Sequence, residues 1–415
     1  MPWKTCDSME LRREFVELAC REEANIRELC RRFGISPPTA YKWLSRERAG
    51  ESLADRSRKP LESPGKTPAA MEELIVAARR EHPAWGGRKL KRWLENRGES
   101  NVPSASTITG MLRRHGLLSQ PAGPSGRGWE RFEREAPNEL WQIDYKGWLQ
   151  LVAGGRCHPL AMIDDHSRFN LLLEPCATET FAELQPLLEK AFETYGLPSA
   201  ILCDNGNPWG ASCGYFTACE AWLLRLGVEV LHGRPCHPQT QGKEERFNRT
   251  LNAEVLSRTT VWHDRSHCGR EFSRWRGIYN HERPHEALGG EVPASRYEIS
   301  ARKMPAKPRE AGSWYGGDDV VRKVLSKGNI SFGGMHWSIG EAMRDQEVAL
   351  RQTGEDRYEV YYCWKRLGVL DLAKHRMSGT KGYAPLEREV RPRLHEPRAP
   401  HGRGSKSVND VPEQV

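Results

Sequence analysis

The stretch HPQTQGKEERFNRTLNAEVL, residues 237–256, opens as a polar run with Pro and Gly and then passes into a helical pattern. Phe247, Leu251 and Val255 recur at four-residue spacing, which predicts the core face of a helix beginning after Gly242. Glu245, Asn248, Arg249 and Asn252 fall on an adjacent stripe. A carboxylate beside an amide and a guanidinium suits a metal ligand flanked by phosphate contacts. Upstream, ELWQIDYKGWLQL reads as a strand with Asp144 among apolar neighbours, and AILCDNG as an apolar run ending in Asp204 before an Asn-Gly turn. Taken singly, Asp204 reads as a turn cap and Glu245 as a solvated helix residue. Together, three acids from three separate elements are what a divalent-cation phosphoryl-transfer site requires. Oxygen ligands suit Mg²⁺ or Mn²⁺, and two such ions about 3.5–4 Å apart can hold the attacking and leaving oxygens of an in-line displacement.

With QIDYKG, CDNG and HPQTQGKEERFNRTL in this order, the chain resembles the DDE transposases of bacterial insertion sequences, in the branch whose core is similar to retroviral integrases. The resemblance implies that Asp144, Asp204 and Glu245 are catalytic and hold two Mg²⁺ (or Mn²⁺) ions. It implies cleavage at the terminal inverted repeats and strand transfer into target DNA, with no Ser or Tyr nucleophile. The family's Gly-x-x-Glu spacing, counted from Gly242, selects Glu245 over Glu244, whose side chain is turned by roughly 100°. Asp164 and Asp165, in LAMIDDHSRF, read as a structural hairpin turn, while Lys243 and Arg249 are candidates for holding phosphates. The gap from Asp204 to Glu245 exceeds the retroviral spacing, and the surplus is expected in the loop Gly206–Gly214. Joining two DNA ends in one event implies a homodimer or larger synaptic assembly on double-stranded DNA. The rival readings are a non-catalytic DNA-binding regulator, which needs no metal, and a metal-dependent nuclease, which cuts without joining.

Composition bounds the partners. The 415 residues carry a net charge of +8, and residues 1–136 hold 26 Lys and Arg against 19 Asp and Glu, so the excess lies almost wholly upstream of the core. A basic N-terminal part is the electrostatic footprint of a nucleic-acid binder. Eleven cysteines are scattered without a CxxC pair, which points to reduced thiols and not to a zinc module. No signal peptide or membrane-length apolar run is read, so the expected location is the bacterial cytoplasm, at the nucleoid.

The chain length suits several domains. Residues 1–50 read as a helix-turn-helix unit, with Leu11, Phe15, Leu18 and Ala19 on one stripe, an Asn25–Glu28 capping box, a Gly34 turn and Ser36–Pro37 opening the third helix. That helix buries Ala40, Trp43 and Leu44 and presents Thr39, Tyr41, Lys42 and Arg46 outward, as a major-groove reader would. A linker (51–67) leads to a second helical unit (68–117) around HPAWGGRKL, where Arg88, Lys89, Lys91, Arg92, Arg113 and Arg114 are candidate phosphate contacts or a solvated basic face. A Gly/Pro-rich hinge (118–136) precedes the core (137–300). Strands are expected near 140–152, 157–164, 168–175, 200–204 and 228–232, with helices near 179–195, 212–226 and 240–258. This is a mixed sheet between helices, matching the α/β ribonuclease-H-like fold that the resemblance implies. Alternation with turn signals across 311–375 predicts a small β-barrel, for DNA or subunit contact, and 376–415 a disordered tail.

Overall fold

The computed structural model describes residues 7–56, 65–118, 133–210, 216–233 and 242–378, and the chain forms two compact units divided at Pro68 and Ala69. Among the described residues no helix is long and apolar enough to cross a membrane.

The first unit contains α1 (Ser8–Ala19), α2 (Ile26–Phe33) and α3 (Pro37–Arg48). Each start carries a side-chain cap: Asp7, Asn25 and Ser36 accept from the backbone N–H groups of Met9, Glu28 and Thr39. Gly34 ends α2 at φ 60°, the left-handed conformation that makes the turn tight. Phe15, Val16, Cys30, Ala40, Trp43, Leu44 and Leu53 form the core. Leu11, expected on the apolar stripe, is exposed. The linker begins later than position 51, because Leu53 is buried and Arg12 bonds its carbonyl and the Asp55 carboxylate. Residues 57–64 of it lie outside the described residues.

The second unit opens with α4 (Ala69–Glu81), α5 (Gly87–Asn96) and α6 (Ala105–Arg114), packed around Ile75, Trp85, Leu90, Leu94, Ile108 and Leu112. Gly87 explains the WGG signal: a Cβ there would meet the Ala105 carbonyl at 2.4 Å and the Thr109 hydroxyl at 2.5 Å, so α5 and α6 approach closely only with glycine.

The mixed sheet follows. Its strands are β1 (Trp141–Tyr145), β2 (Leu149–Gln150), β3 (Arg156–Asp164), β4 (Asn170–Cys176), β5 (Ala200–Cys203) and β6 (Glu229–His232). β1 is central, antiparallel to β3 and parallel to β5, with β4 beyond β3 and β6 beyond β5. Period-two alternation sends Trp141, Ile143, Leu160 and Met162 to one face, under α7 (Phe181–Tyr195) and α8 (Ala218–Arg225). Ala161, Ile163 and Leu173 go to the other face, under α9 (Gly242–Leu251) and α10 (Arg265–His281). The strand positions match expectation except near 140–152, where one expected strand is broken into β1 and β2. Of the predicted helix 212–226, α8 begins only at Ala218, and residues 211–215 lie outside the described residues. The stripe Phe247, Leu251 and Val255 is buried as its spacing predicts. After Leu251 the helix loosens into a π-turn, Asn252–Leu256.

The basic face of the second helical unit is used differently from expectation. Arg88 pairs with Glu286 at 3.6 Å, Arg97 with Glu282 at 4.0 Å, and Arg92 bonds the Gly290 carbonyl at 3.4 Å. Lys89 is half-buried, and burial lowers its pKa, with the Arg283 charge lowering it further and the Glu254 charge raising it. These side chains tie α5 to the end of α10 and the segment after it, so Lys89 in particular is not a free phosphate contact. At that junction Arg283 and Glu254 form a buried ion pair at 2.9 Å, with the Trp275 indole donating to the second Glu254 oxygen. Arg283→Met would strand a buried carboxylate, so we expect a loss of about 3–5 kcal/mol, largely recovered in Arg283→Met/Glu254→Leu. Thermal melting of both variants checks this; equal melting of the single variant and wild type would mean that the pair contributes nothing.

The last module is β7 (Val320–Lys323), β8 (Asn329–Phe332), β9 (Met335–Ser338), β10 (Glu347–Gly354), β11 (Arg357–Tyr362), β12 (Lys365–Asp371) and β13 (Arg376–Ser378). Instead of a closed barrel, the pairing gives an antiparallel sheet in the order β13-β12-β11-β10-β7 and a separate β8-β9 hairpin. Gly333 and Gly334 turn that hairpin with positive φ at both positions. The module's core includes Ala221 and Leu224 of α8, so it packs on the mixed-sheet domain. β13 occupies residues expected in the tail; beyond Ser378 the chain lies outside the described residues, as do residues 119–132 of the expected hinge.

Candidate metal centre

The sheet register brings two of the three predicted acids together. Gln142 lies opposite Leu202 in the parallel pair β1–β5, so two residues further on Asp144 and Asp204 occupy matching positions at the strand ends. Because Trp141, Ile143, Ile201 and Cys203 all point under α7 and α8, alternation turns Asp144 and Asp204 toward the face carrying α9. Each acid is held. The Asn248 amide donates to Asp144 Oδ2 at 3.0 Å. The Gly206 N–H donates to Asp204 Oδ1 at 3.0 Å, and both ring nitrogens of His232 face oxygens, the Asp204 carbonyl at 2.9 Å and Glu220 at 2.8 Å. Burial, then the neighbouring Asp204 charge, pushes the Asp144 pKa up to about 6.

Glu245 is exposed, whereas Glu244 is 1% exposed and feels the charges of Asp144 and Asp204. The rotation of α9 explains the difference. Burying Phe247, Leu251 and Val255 leaves Asn248 over Asp144, and the residue one turn before Asn248 is Glu244. The Glu244 pKa is raised well above the usual carboxylate range, chiefly by burial and then by the two aspartates. The helical pair 244 and 248 was the available signal for this face; the Gly-x-x-Glu count points one step around it.

Two further corrections concern α9 and its anchor. Lys243, expected on phosphate, forms an ion pair with Asp165 at 2.5 Å, and burial lowers its pKa to about 8. Asp165 also accepts from the Gln142 amide at 2.6 Å and the Arg134 N–H at 2.9 Å, while Asp164 accepts from the Asn138 N–H and from the Ser167 N–H and hydroxyl. These acids are structural, and Asp165 ties the start of α9 to the sheet. Arg249 is exposed on α9. In the first unit, Arg12, Lys42 and Arg46 surround Trp43 at 4.2, 4.9 and 4.8 Å, and Arg46 also bonds the Ala54 carbonyl. Arg46 is therefore a packing residue as placed, Thr39 a capping partner of Ser36 at 2.9 Å, and Tyr41 and Lys42 are exposed.

Among the described residues no three of Asp, Glu, His or Cys stand close enough to hold an ion as placed. The donor chemistry nevertheless fits a hard divalent cation: the carboxylates repel one another, and both Glu244 oxygens are buried without a hydrogen-bond partner. A cation at this position would remove both costs.

Comparison with known proteins places these parts. Two models described as "Integrase core domain" match residues 134–238 and 226–293. "Helix-turn-helix domain" matches 11–60, "Homeodomain-like domain" 39–112, and "IS481 family transposase, C-terminal domain" 319–378. The insertion element IS407 uncharacterized 31.7 kDa protein of Burkholderia multivorans is 25% identical over 66% of this chain and 92% of its own. The insertion element IS476 uncharacterized 39.2 kDa protein of Xanthomonas euvesicatoria is 26% identical over 44% of this chain and 51% of its own. Among solved structures, the HTLV-2 integrase catalytic core domain in complex with magnesium aligns with 40% of this chain and 99% of its own, at 15% identity and a TM-score of 0.30. The mixed sheet with its flanking helices is thus an integrase core of the ribonuclease-H-like class, preceded by helix-turn-helix domains. These matches support a bacterial insertion-sequence transposase of the integrase-core type, to whose insertion-element proteins the chain is similar.

Proposed function

We propose that this transposase binds the terminal inverted repeats of its own insertion sequence, cleaves at their ends and transfers the freed 3′ strands into target DNA at the nucleoid. The observation that carries the catalytic reading is the placing of Asp144, near the end of β1, beside Asp204, which follows the parallel neighbour β5, with the Asp204 charge acting on Asp144. Asp144, Asp204 and a glutamate from the start of α9 would hold two Mg²⁺ or Mn²⁺ ions. Glu245, the acid selected by the motif, stands on the solvent side and would join the ion set from the rim. When bound, such ions supply Lewis acidity at the attacking and leaving oxygens of an in-line phosphoryl transfer. Asn248 orients Asp144, the Gly206 N–H and His232 fix the Asp204 segment, and Lys243 with Asp165 sets the start of α9. Arg249, exposed on the same helix, is the phosphate contact that remains of the two proposed there. In the first unit the exposed groups of α3, Tyr41 and Lys42, are the proposed DNA contacts, and Arg88 is available only if its pair with Glu286 opens. Two ends joined in one event require at least a dimer on DNA.

The test is incubation of the protein with linear DNA carrying the element's ends and Mg²⁺. Joined products are expected. Cleavage without joining would make it a nuclease, and end binding without cleavage a regulator.

A further inference from the structure

We propose that Lys146, the residue that follows β1, holds a non-bridging oxygen of the scissile phosphodiester at the rim beside Asp144 and Asp204. This rests on the reading above that strand cleavage and transfer take place beside these aspartates, and it gives the substrate phosphate its partner there.

The strand sets the position. Lys146 continues the β1–β3 pairing beyond Tyr145, its N–H donating to the Pro159 carbonyl at 2.9 Å. Residues two apart on a strand share a face, about 7 Å from one to the next. Lys146 therefore lies on the face of Asp144, toward α9, while Tyr145 between them packs against the opposite core. The chain then turns at Gly147 with φ 80°, where a Cβ would meet nothing within 4 Å, so the lysine stands half-buried at an open edge. Its charge acts on Asp144, yet the Asp144 pKa is still raised to about 6. Among the described residues the Lys146 ammonium has no ion pair or hydrogen-bond partner. By contrast, Lys243 is held by Asp165 and Arg168 by Glu133. A lysine kept for stability would close on Asp144 as an ion pair. A phosphodiester brings one negative charge toward two aspartates that already repel one another, and an ammonium still free to donate, on the same face, meets that charge. Lysine suits the task, being a compact point charge on a flexible stem that reaches a phosphate oxygen without a fixed fork geometry.

The experiment measures metal-free binding of a linear duplex carrying the element's end, intact or with one uncharged methylphosphonate linkage at the scissile position. The full-length wild type, Lys146→Ala and Lys146→Arg are compared. Lys146→Ala should bind the intact duplex about tenfold more weakly at low salt, the effect of one hydrogen bond between charged groups. Its salt slope should be shallower by about 0.9, the share of one phosphate contact. Lys146→Arg, which keeps a charged donor, should restore most of the affinity. The methylphosphonate should weaken wild type by about the same factor as the alanine substitution, and should weaken Lys146→Ala no further. The same linkage one helical turn inside the repeat should cost both proteins equally. Equal losses from the scissile linkage in wild type and Lys146→Ala overturn the proposal, as does unchanged affinity and slope in Lys146→Ala. A loss in Lys146→Ala that Lys146→Arg leaves unrepaired, without coupling to the linkage, marks a structural lysine and also overturns it. Strand transfer in Mg²⁺ is followed on the same DNA. Full activity in Asp144→Asn would remove the reading beneath, while the metal-free coupling still decides whether Lys146 meets that phosphate. Failure of wild type to bind the end removes both.

Discussion

Asp144→Asn and Asp204→Asn are each expected to lower strand transfer of the element's ends by more than about a hundredfold, with end binding retained. Even groups that only support a metal ligand commonly account for 10–100-fold, and these two residues would be ligands themselves. Asp144 lies in β1 and Asp204 directly follows its parallel neighbour β5, so loss of either leaves a lone aspartate to hold ions whose binding depends on paired negative charge. The same substitution has a second, opposite consequence in the absence of metal. The Asp144 pKa is raised from 3.8 to about 6, so its burial costs nothing below the lower value and is fully felt above the higher one. Asp144→Asn should therefore melt higher than metal-free wild type above about pH 6 and converge with it below about pH 4. At 1.36 kcal/mol per pKa unit the gain is at most about 3 kcal/mol. Strand-transfer assays at fixed Mg²⁺ and melting across pH measure the two effects on the same protein. An active Asp204→Asn variant would end the proposed site.

Much of this arrangement is legible without coordinates, and the failures have a common cause. The alternation of Trp141, Ile143, Leu160 and Met162 identifies strands and even the side on which Asp144 lies. The spacing of Phe247, Leu251 and Val255 fixes the buried face of α9. What alternation cannot supply is the parallel register that sets Asp144 beside Asp204, because the pairing spans about sixty residues and is decided by the sheet. Which of Glu244 and Glu245 is buried is decided in a similar way. One residue turns a side chain by roughly 100°, and the rotation of α9 is fixed by contacts with β1 and with Asp165, seventy-eight positions away from Lys243. Lys89 and Lys243 illustrate a further limit. A lysine in a basic stretch reads as a phosphate contact until a buried acid elsewhere, here Glu254 or Asp165, is seen beside it. The C-terminal module shows alternation clearly, yet barrel closure depends on strand pairing between its ends, and β7 and β13 are not paired.

Binding of the terminal repeats proposed above is expected to fall steeply with salt and to lose most of its strength when residues 1–56 are removed. Each phosphate neutralised by the protein releases condensed counterions, so the logarithm of affinity falls with the logarithm of salt at a slope of about −0.9 per contact. Four such contacts would cost roughly a hundredfold between 50 and 200 mM salt by that slope. The first unit is a compact body with its own core, and its third helix begins with Ser36 and Pro37 and exposes Tyr41, Lys42 and Arg48. Lys42→Ala should reduce both the affinity at low salt and the slope. Tyr41→Ala should reduce preference for the repeat over unrelated DNA while leaving the slope unchanged, since a phenol reaching a base edge releases no counterion. Arg46→Ala is expected to act mainly through stability, because its guanidinium packs on Trp43 and bonds the Ala54 carbonyl. The basic residues of α5 are largely engaged with Glu254, Glu282, Glu286 and the Gly290 carbonyl, so they offer the deletion variant few free cations on that helix. Titration of the full chain and of the variant lacking residues 1–56, each at several salt concentrations, measures affinity and slope together. Unchanged binding by the shortened chain would move recognition of the repeats out of α3 and into the second unit, on surfaces other than the face of α5 that docks on the core.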